Sequence, residues 1–449
     1  MKAPASPTAP ISPNVSASLD AAATDAASVS MPRRGFLKTS ATLAAGAAVA
    51  GYSPLSAATA RRSIGANDRI RIGIIGCGER GRGAHMEGIY KHVAATNFEI
   101  VALCDPWRVA RERSNAKVRE WFGRDAQPCT SYKELLDLPN IDAVMIASPD
   151  HHHTTHLEAA ARAGKHIYVE KPLATEMDKL VRAYDAVKAA GTVVQVGTQL
   201  RSLPGVVGAR EVVQSGKIGK LSRVEECRND EKPYWYQYLG REVKQEDVDW
   251  KEFLGDRPMR PFDPEVYAAW YGHYEFCQGP IPQWGAHFLD MAHYITGASI
   301  PESCVCAGGI FTWKDKHRFT VPDCIQATWI YPEGFLLTSS NNFGNGFGNT
   351  RKFFGEKGVL KVDNWNVPTY SAQGGPKRDG SIRGEVTVTP IERPDHFLDW
   401  LQCLRTGATP HASIEAGYQH GVACLMAMLS YEKGGRTVYN AKKRTIDFA

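Results

Sequence analysis

Short β-branched runs alternate with helical stretches through residues 69–196. The runs predict five strands, at Arg69–Ile75, Phe98–Cys104, Ala143–Ala147, His166–Val169 and Val193–Val196. Helices are predicted by the stretch that ends at His92, by His153–Ala163 and by Glu176–Ala190. Strands that alternate with helices of about ten to fifteen residues are typical of a parallel sheet with right-handed crossovers. Ligands bind such a sheet beyond the carboxyl ends of its strands, so the residues that follow each strand are candidates for a site.

After about Gly216 the strand-like runs follow one another with few helices between them. They are separated by Gly, Pro and Asn turns and lie at Leu221–Arg228, Cys304–Trp313, Ile325–Tyr331, Phe335–Asn341, Lys352–Phe354 and Val359–Val362. Consecutive strands predict a mostly antiparallel sheet and hence an α+β domain. Phe397, Leu401 and Leu404 share one helical face, and Val422–Tyr431 predicts another helix. We therefore expect an α/β domain over residues 68–197 and an α+β domain over residues 198–449.

The first sixty residues differ from the rest and are expected to lie outside the fold. Residues 1–30 contain 21 Ala, Ser, Pro or Thr, too little apolar surface to form a core. Arg33 and Arg34 precede the weakly apolar run Ala41–Gly51 and a group of small residues near Ser56. This pattern predicts a disordered leader and a twin-arginine export signal over residues 1–60, and a periplasmic or otherwise extracytoplasmic protein. A short amphipathic helix, an uncleaved anchor and a true start at Met31 are the alternatives.

Composition and charge narrow the class of protein further. Of 449 residues, 43% are hydrophobic and 22% charged, which excludes wholesale disorder and a collagen-like fibre. The net charge of +5, from 53 basic and 48 acidic residues, is too small and dispersed for a nucleic-acid partner. No stretch beyond the leader approaches the ~20 apolar residues of a spanning helix, so no membrane span is expected in the mature chain. The ten cysteines lack metal-site spacing and are expected as thiols, with no metal.

A glycine-rich turn follows the first predicted strand and predicts a dinucleotide site. It reads Gly76-x-Gly78-x-x-Gly81, with Glu79 and Arg80 before the third glycine. In this pattern the first glycine permits the turn, the second lets the backbone approach a pyrophosphate, and the third allows close helix–strand packing. Asp105 ends the second strand, where a carboxylate accepts both ribose hydroxyls, so NAD is favoured. Arg108 is close enough to leave NADP open.

Three further segments follow strands and are expected at the same edge of the sheet. They are Ser148-Pro149-Asp150, Glu170-Lys171-Pro172 and Gly197-Thr198-Gln199. The consecutive histidines 151–153 could suggest a metal site, but successive side chains are expected to diverge. We expect His153 to open the following helix and to touch the nicotinamide side of the cleft.

These motifs together resemble the Gfo/Idh/MocA family, the glucose–fructose oxidoreductase and inositol dehydrogenase group. Besides the segments above, the motifs on which this resemblance rests are Gln195-Val196-Gly197-Thr198-Gln199, Trp284–Asp290 and Gly434-Gly435-Arg436. The resemblance implies a Rossmann domain, an open-faced sheet that builds the substrate pocket, tightly held NAD(P), and a dimer or tetramer. It places the cofactor on Gly76, Gly78, Glu79, Arg80, Gly81, Asp105, Ser148, Pro149, His153, Glu170, Lys171 and Gln199.

The resemblance also implies a catalytic set of a Lys and an Asp-x-x-x-His pair. Lys171 and His287 match, whereas the Asp position holds Gln283. An amide exchanges no proton near pH 7, although it still hydrogen-bonds a sugar hydroxyl. Proton transfer then falls on His287, on Lys171 or on a carboxylate from elsewhere, of which Asp290 is the nearest in sequence. His suits proton abstraction because its ordinary pKa is about 6.5.

The expected function is that of an exported NAD(P)-dependent oxidoreductase acting on a hydroxyl or keto group of a sugar, polyol or glycoside. An alternative is an NAD-dependent glycoside hydrolase or lyase that works by transient oxidation and elimination. A sugar-binding protein with structural NAD is a third hypothesis. Aromatic residues that could stack on sugar faces, or pack in a core or subunit contact instead, are Trp235, Tyr236, Tyr238, Trp270, Tyr271 and Tyr274.

Overall fold

The structure is a computed structural model that describes residues 64–65 and 68–449. The predicted leader and twin-arginine signal, residues 1–60, lie outside the described residues. The described part forms one compact unit. Within it, every helix is too short or too polar to cross a bilayer.

A six-stranded, fully parallel sheet occupies the first part of the described chain. Its strands are β1 Ile70–Ile75, β2 Phe98–Cys104, β3 Gln127–Cys129, β4 Ala143–Ile146, β5 His166–Val169 and β6 Val194–Val196. They run in the order β3-β2-β1-β4-β5-β6. The five predicted strands are present to within one residue at each end. Sequence reasoning missed the edge strand β3, which is only three residues long and contains Pro128.

Helices connect these strands, as the alternating pattern predicts. They are α1 Glu87–Tyr90, α2 Val93–Thr96, α3 Arg108–Phe122, α4 Tyr132–Leu136, α5 His153–Arg162 and α6 Met177–Ala190. A π-helical turn, Arg80–Met86, joins the glycine loop to α1. The sequence did not predict α3 because only three of its residues are buried, Ala110, Ser114 and Val118. Two of these are small, so the apolar stripe is narrow.

The second part of the chain is built on a ten-stranded sheet. Its strands are β7 Leu221–Asn229, β8 Ser303–Gly309, β9 Cys324–Tyr331, β10 Phe335–Asn342, β11 Thr350–Gly355, β12 Val359–Lys361, β13 Thr369–Ser371, β14 Glu385–Thr387, β15 Thr437–Asn440 and β16 Thr445–Phe448. The order is β14-β13-β12-β11-β7-β10-β9-β8-β15-β16. All neighbouring strands are antiparallel except β7 and β10. The predicted fold class, a Rossmann α/β part followed by an α+β part with a mostly antiparallel sheet, is confirmed.

Strand β8 ends four residues before the predicted end at Trp313. The backbone N–H groups of Phe311, Thr312 and Trp313 donate to the Asp323 carboxylate at 2.8–2.9 Å instead of to a neighbouring strand. A buried carboxylate therefore ends the ladder here, a contact that the β-type sequence does not reveal.

Six α-helices are described in the second part of the chain. They are α7 Pro204–Gln214, α8 Trp250–Leu254, α9 Pro264–Ala268, α10 Ala286–Thr296, α11 His396–Thr406 and α12 Ile414–Lys433. In α12, a Cβ on Gly417 would lie 2.7 Å from the Val196 side chain, so only glycine allows this approach to β6. On the ten-stranded sheet, the Trp329 indole donates to the Ala423 carbonyl at 2.9 Å. Helix α12 thus touches both sheets and sets their relative position.

The segment of residues 230–276, which we call the strap, leaves the second sheet and returns to the first. The Asp249 amide donates to the Pro106 carbonyl at 3.0 Å, and Trp107 forms a β-bridge with Val248. The strap therefore lies over the residues that follow β2. The domain boundaries at 68–197 and 198–449 stay a prediction.

Candidate active site

A cavity of about 640 Å³ opens at the carboxyl ends of β1, β2, β4 and β5, between the first sheet and the strap. Its opposite wall is formed by the strap and by residues 283–287. The predicted site residues that line it are Gly76, Gly78, Glu79, Arg80, Asp105, Ser148, Pro149, His153, Glu170, Lys171, Gln199, Gln283 and His287. Gly81 is the exception and lies behind the wall. The cavity is where a parallel sheet binds its ligand.

The glycine loop shows a different physical need at each glycine. Gly76 has a φ of +94°, and a Cβ there would lie 2.5 Å from the Ala147 carbonyl carbon. A Cβ on Gly81 would lie 1.9 Å from the Gly76 carbonyl oxygen, so this glycine serves packing. Gly78 faces the cavity with nothing within 4 Å of its Cβ position. This open cradle of backbone fits a dinucleotide pyrophosphate.

Asp105 lies at the end of β2, on the cavity wall. Its carboxylate accepts bonds from the Cys77 and Trp107 amides at 2.7 and 2.8 Å, which fixes its orientation and leaves lone pairs for a ribose. Burial raises the pKa of Asp105 to about 6. The guanidinium of Arg108, which left NADP open, donates to Glu112 and Asp247 and does not line the cavity. The residues present therefore fit NAD.

Glu170 collects three donors at the end of β5. Arg80 Nε lies 2.6 Å and His85 Nε2 2.9 Å from its Oε1, and the Lys171 amide donates to Oε2 at 3.1 Å. Burial raises the pKa of a carboxyl group, but Arg80 and His85 hold the pKa of Glu170 well below its usual value. The ionised Glu170 thus joins the glycine loop to the backbone of Lys171.

Lys171 and Gln283 meet in the cavity. Lys171 Nζ donates to the Gln283 main-chain carbonyl at 2.9 Å and to its Oε1 at 3.1 Å. Burial lowers the pKa of Lys171, opposed by Glu170 and Asp150. An ammonium has three N–H donors, so one remains for a substrate oxygen.

His287 lies four residues beyond Gln283. A π-helical turn, Ile281–Gly285, leads into α10 and brings both side chains to the cavity. Nδ1 of His287 is buried and has no partner among the described residues. Burial, followed by Lys171, lowers the pKa of His287 well below its usual value, so the ring is neutral at pH 7. A neutral ring offers one donor and one acceptor nitrogen to a ligand.

The structure brings a different carboxylate to this site from the one the sequence suggested. Asp290 is fully buried and accepts from Arg201 Nε at 2.7 Å, away from the cavity. Asp150, only 3% exposed, lines the cavity and accepts from Gln283 Nε2. Burial raises the pKa of Asp150 to about 6. Its place after β4 was the sequence signal for Asp150, but nothing local indicated contact with a residue 133 positions away.

The expectation that the side chains of residues 151–153 diverge is wrong for the first two. His151 and His152 both bring Nε2 to the Phe253 carbonyl, at 3.0 and 2.8 Å, and so tie the strap to the first sheet. His153 places Nδ1 2.7 Å from the Pro172 carbonyl and Nε2 2.8 Å from the Ser148 carbonyl. It lines the cavity, and its contact with the nicotinamide stays a prediction. No group of three or more His, Cys, Asp or Glu in the described ranges is placed to hold a metal.

Aromatic rings form the strap side of the cavity. Of the six predicted rings, Tyr238, Trp270 and Tyr271 line it, with the Tyr271 ring stacked between the other two at centroid distances of 5.3 Å from Tyr238 and 3.7 Å from Trp270. Trp235 and Tyr236 belong instead to a buried apolar cluster, and the sixth ring, Tyr274, packs against that cluster. The sequence pattern therefore marked the region but did not separate packing rings from those that face a ligand.

Comparison with known proteins agrees with this arrangement. The model "Oxidoreductase family, NAD-binding Rossmann fold" matches residues 70–198, and "Oxidoreductase family, C-terminal alpha/beta domain" matches residues 253–439. The chain belongs to the Gfo/Idh/MocA oxidoreductase family. Its first part is accordingly an NAD-binding Rossmann fold, and the protein is an oxidoreductase. Residues 199–252, which include the first half of the strap, lie between the two matches.

Individual relatives in the Gfo/Idh/MocA family are distant. Levoglucosan dehydrogenase of Pseudarthrobacter phenanthrenivorans is 26% identical over 66% of this chain and 62% of its own. Inositol 2-dehydrogenase 3 of Saccharopolyspora erythraea is 35% identical over 33% of this chain and 42% of its own. This chain thus spans less than two thirds of either relative. The WlbA dehydrogenase of Bordetella pertussis, solved with NADH and UDP-GlcNAcA, superposes with a TM-score of 0.61 at 20% identity, covering 82% of this chain and 98% of that one.

Proposed function

We propose that the protein is an exported, NAD-dependent oxidoreductase that oxidises or reduces a hydroxyl or keto group of a sugar, polyol or glycoside, with a tightly held cofactor. The observation that carries the proposal is that Lys171, Gln283 and His287 line the same cavity as the glycine loop. A proton-handling group and a cofactor that accepts hydride are the two requirements of alcohol oxidation.

The residues divide into those that hold NAD and those that handle the substrate. Gly78, Asp105 and the segment Ser148–Pro149 would hold the cofactor, which supplies a hydride acceptor when bound. The third N–H of Lys171 would donate to the substrate oxygen and stabilise the negative charge that develops there. The neutral ring of His287 would donate to or accept from the same region of the substrate.

A carbohydrate is the proposed substrate because the cavity combines polar groups with aromatic faces. Tyr238, Trp270 and Tyr271 present rings, whereas Lys171 and Gln283 present hydrogen-bonding groups. Pockets of this kind orient a ligand by a few polar groups and gain affinity from the apolar ones. The names of the relatives, levoglucosan and inositol dehydrogenases, support the same substrate class.

Tight cofactor binding is proposed because the strap encloses the nucleotide side of the cavity. Arg241 of the strap donates to Glu79 of the glycine loop, and Asp247 accepts from Arg108. These contacts join the strap to the first sheet at the nucleotide side of the cavity, and we expect them to slow the release of NAD. Retention suits a protein exported folded, which would regenerate its cofactor on a second substrate or by re-reducing the ketone. Assembly as a dimer or tetramer is also part of the proposal.

Mass spectrometry of the nucleotide released on denaturation tests the cofactor, followed by a screen of sugars that reduce it. Lys171→Ala and His287→Ala should each lower the rate at least ~100-fold. Lys165→Ala is the matched control, because Lys165 is also partly buried but donates to the Ile141 carbonyl, away from the cavity. Wild-type turnover in both active-site variants would overturn the assignment.

Product analysis separates the proposed reaction from glycoside cleavage. A keto-sugar with its linkage intact supports net oxidation, whereas net cleavage with no change in bound NAD supports the elimination route. Export is tested by fractionating cells that express Arg33→Lys/Arg34→Lys, which keeps both charges and removes the arginine pair. An unchanged extracytoplasmic fraction would refute the twin-arginine signal.

A further inference from the structure

Asp150 is a buried carboxylate at the active-site cavity that has no ion-pair partner among the described residues. It is 3% exposed, and its carboxylate accepts hydrogen bonds from the Gln283 side-chain amide and from the Cys277 thiol. We propose that Asp150 accepts the hydroxyl proton of the substrate, so that the carboxylate missing at position 283 is supplied from the end of β4. This inference rests on the proposed function and names a catalytic residue for it.

The hydrogen bonds around Gln283 orient the amide in one direction. Its Oε1 accepts from Lys171 Nζ at 3.1 Å, and its Nε2 donates to Asp150 Oδ2. Since an ammonium only donates and a carboxylate only accepts, both partners require the same amide orientation. Gln283 therefore links an ammonium to a carboxylate and uses one of the lone-pair sites of Asp150, leaving others for a substrate hydroxyl.

The other candidates for the proton acceptor are less suited. Lys171 keeps its proton to donate to Gln283, and Asp290 is paired with Arg201 outside the cavity. The pKa of His287 lies well below its usual value, so the ring takes up a proton poorly at pH 7. A general base works best when its pKa lies near the operating pH, and burial brings the pKa of Asp150 to about 6.

The groups around Asp150 favour its ionised form without neutralising it. Both ring nitrogens of His153 face main-chain carbonyl oxygens, those of Pro172 and Ser148, and these contacts fix the position of the ring. Burial raises the pKa of Asp150, and the neighbouring His153 and Lys171 oppose this shift without reversing it. The titratable groups that face Asp150 are His153, Lys171, Tyr234, Tyr271 and Cys277.

The step balances as an alcohol oxidation. The substrate O–H bond breaks and its proton moves to the Asp150 carboxylate, while the electron pair left on oxygen forms the C=O bond. The C–H bond of the same carbon breaks, and its electron pair leaves with the hydrogen as hydride to the nicotinamide dinucleotide. Lys171 holds the oxygen by a hydrogen bond throughout. Reduction of a ketone runs the same transfers in reverse.

Moving the carboxylate back to position 283 is the decisive experiment. Asp150→Asn should lower kcat by at least ~100-fold and leave the amount of bound NAD unchanged. The double variant Asp150→Asn/Gln283→Asp restores a carboxylate–amide pair with the carboxylate next to Lys171, and should recover most of the lost rate. A wild-type rate in Asp150→Asn, or a double variant no faster than the single one, would overturn the proposal.

The pH dependence gives a readout that a merely structural role would not move. Asp150 must be ionised to accept a proton, so the oxidation rate should rise with pH through about 6 and lose this limb in Asp150→Asn. In the substrate-free protein, the infrared band of protonated carboxyls should disappear over the same range, and the band should be weaker in Asp150→Asn, where Asp105, whose pKa is also about 6, still contributes. An oxidation rate in the wild type that stays constant with pH through about 6 would refute the proposal, even if Asp150→Asn did not fold.

These measurements also separate failure of this proposal from failure of the proposed function. If no sugar reduces the cofactor in the wild type, the proposed function fails and the proton-acceptor role fails with it. If sugars are oxidised and Asp150→Asn keeps the wild-type rate and pH profile, the role of Asp150 alone is refuted.

Discussion

Replacing Gly81 with alanine is expected to destabilise the protein itself, whether or not NAD is bound. The new Cβ would lie 1.9 Å from the Gly76 carbonyl oxygen, and the main chain on both sides would have to move apart. Overpacking of this kind costs about 1–3 kcal/mol of the free energy of unfolding. The effect arises from contact within the glycine loop and needs no ligand.

Gly78→Ala is the matched comparison, with the opposite expectation. Its Cβ meets nothing within 4 Å, and Gly78 faces the cavity, so cofactor-free stability should change by less than about 0.5 kcal/mol. The methyl group would instead occupy space where NAD approaches the backbone. Overpacking of the same size, about 1–3 kcal/mol, then occurs only in the complex, and this loss of binding free energy weakens NAD binding roughly 5- to 160-fold.

Urea unfolding of cofactor-free protein and calorimetric titration with NAD measure the two effects separately. Gly380→Ala serves as the control, because Gly380 is exposed and its Cβ position is also empty within 4 Å. Gly81→Ala should lose stability, Gly78→Ala should lose affinity, and Gly380→Ala should lose neither. A cofactor-free Gly81→Ala as stable as the wild type would refute the reasoning from close packing.

Three further outcomes follow from named contacts. Arg241→Ala should speed NAD release by up to about fivefold, since the partly exposed ion pair of Arg241 with Glu79 contributes up to ~1 kcal/mol. The release rate is measured after dilution, and an unchanged rate would show that this contact does not retain the cofactor. Arg108→Ala should leave the ratio of NAD to NADP affinity unchanged because two carboxylates already hold its guanidinium, and a selective loss of NADP binding in titrations would contradict this. Asp290→Asn should lower the free energy of unfolding by about 3–5 kcal/mol at pH 7, because the charge of Arg201, whose side chain is only 11% exposed, is left without its carboxylate. Burial raises the pKa of Asp290, but Arg201 holds that pKa well below its ordinary value. The stabilisation by the ion pair is therefore present above about pH 4 and is lost as the pH falls. Urea titrations should show that the difference in unfolding free energy between variant and wild type narrows below pH 4, and a constant difference would refute the ionised pair.

The first sheet could be predicted well because its determinants are local. Buried parallel strand β4 is a continuous apolar run, β5 is apolar after its first residue, His166, and each is followed by a residue type that strands disfavour. The missed elements lacked that signal: β3 contains a proline, and α3 buries only a narrow stripe of small residues. Strand β8 was predicted too long because the Asp323 carboxylate, not the local sequence, ends its ladder.

The site could be predicted only in part, for a related reason. The sequence motifs predicted Lys171, Gln283 and His287 as site residues, and the structure places all three at the cavity. The motifs named no carboxylate in place of the one that position 283 lacks. Proximity in sequence suggested Asp290, which turns away to Arg201 because its side of α10 faces the protein interior.

The sequence by itself determined the alternation of strands and helices, the glycine loop and the residue types that lie at strand ends, because each depends on periodicity or on backbone conformation over a few positions. The tertiary structure alone decided which side chains meet. Lys171 and Gln283 are 112 residues apart, and Asp150 and Gln283 are 133 apart. Their contact depends on how α10 and the strap pack against the end of the first sheet, and no local pattern encodes the relative position of elements so distant along the chain.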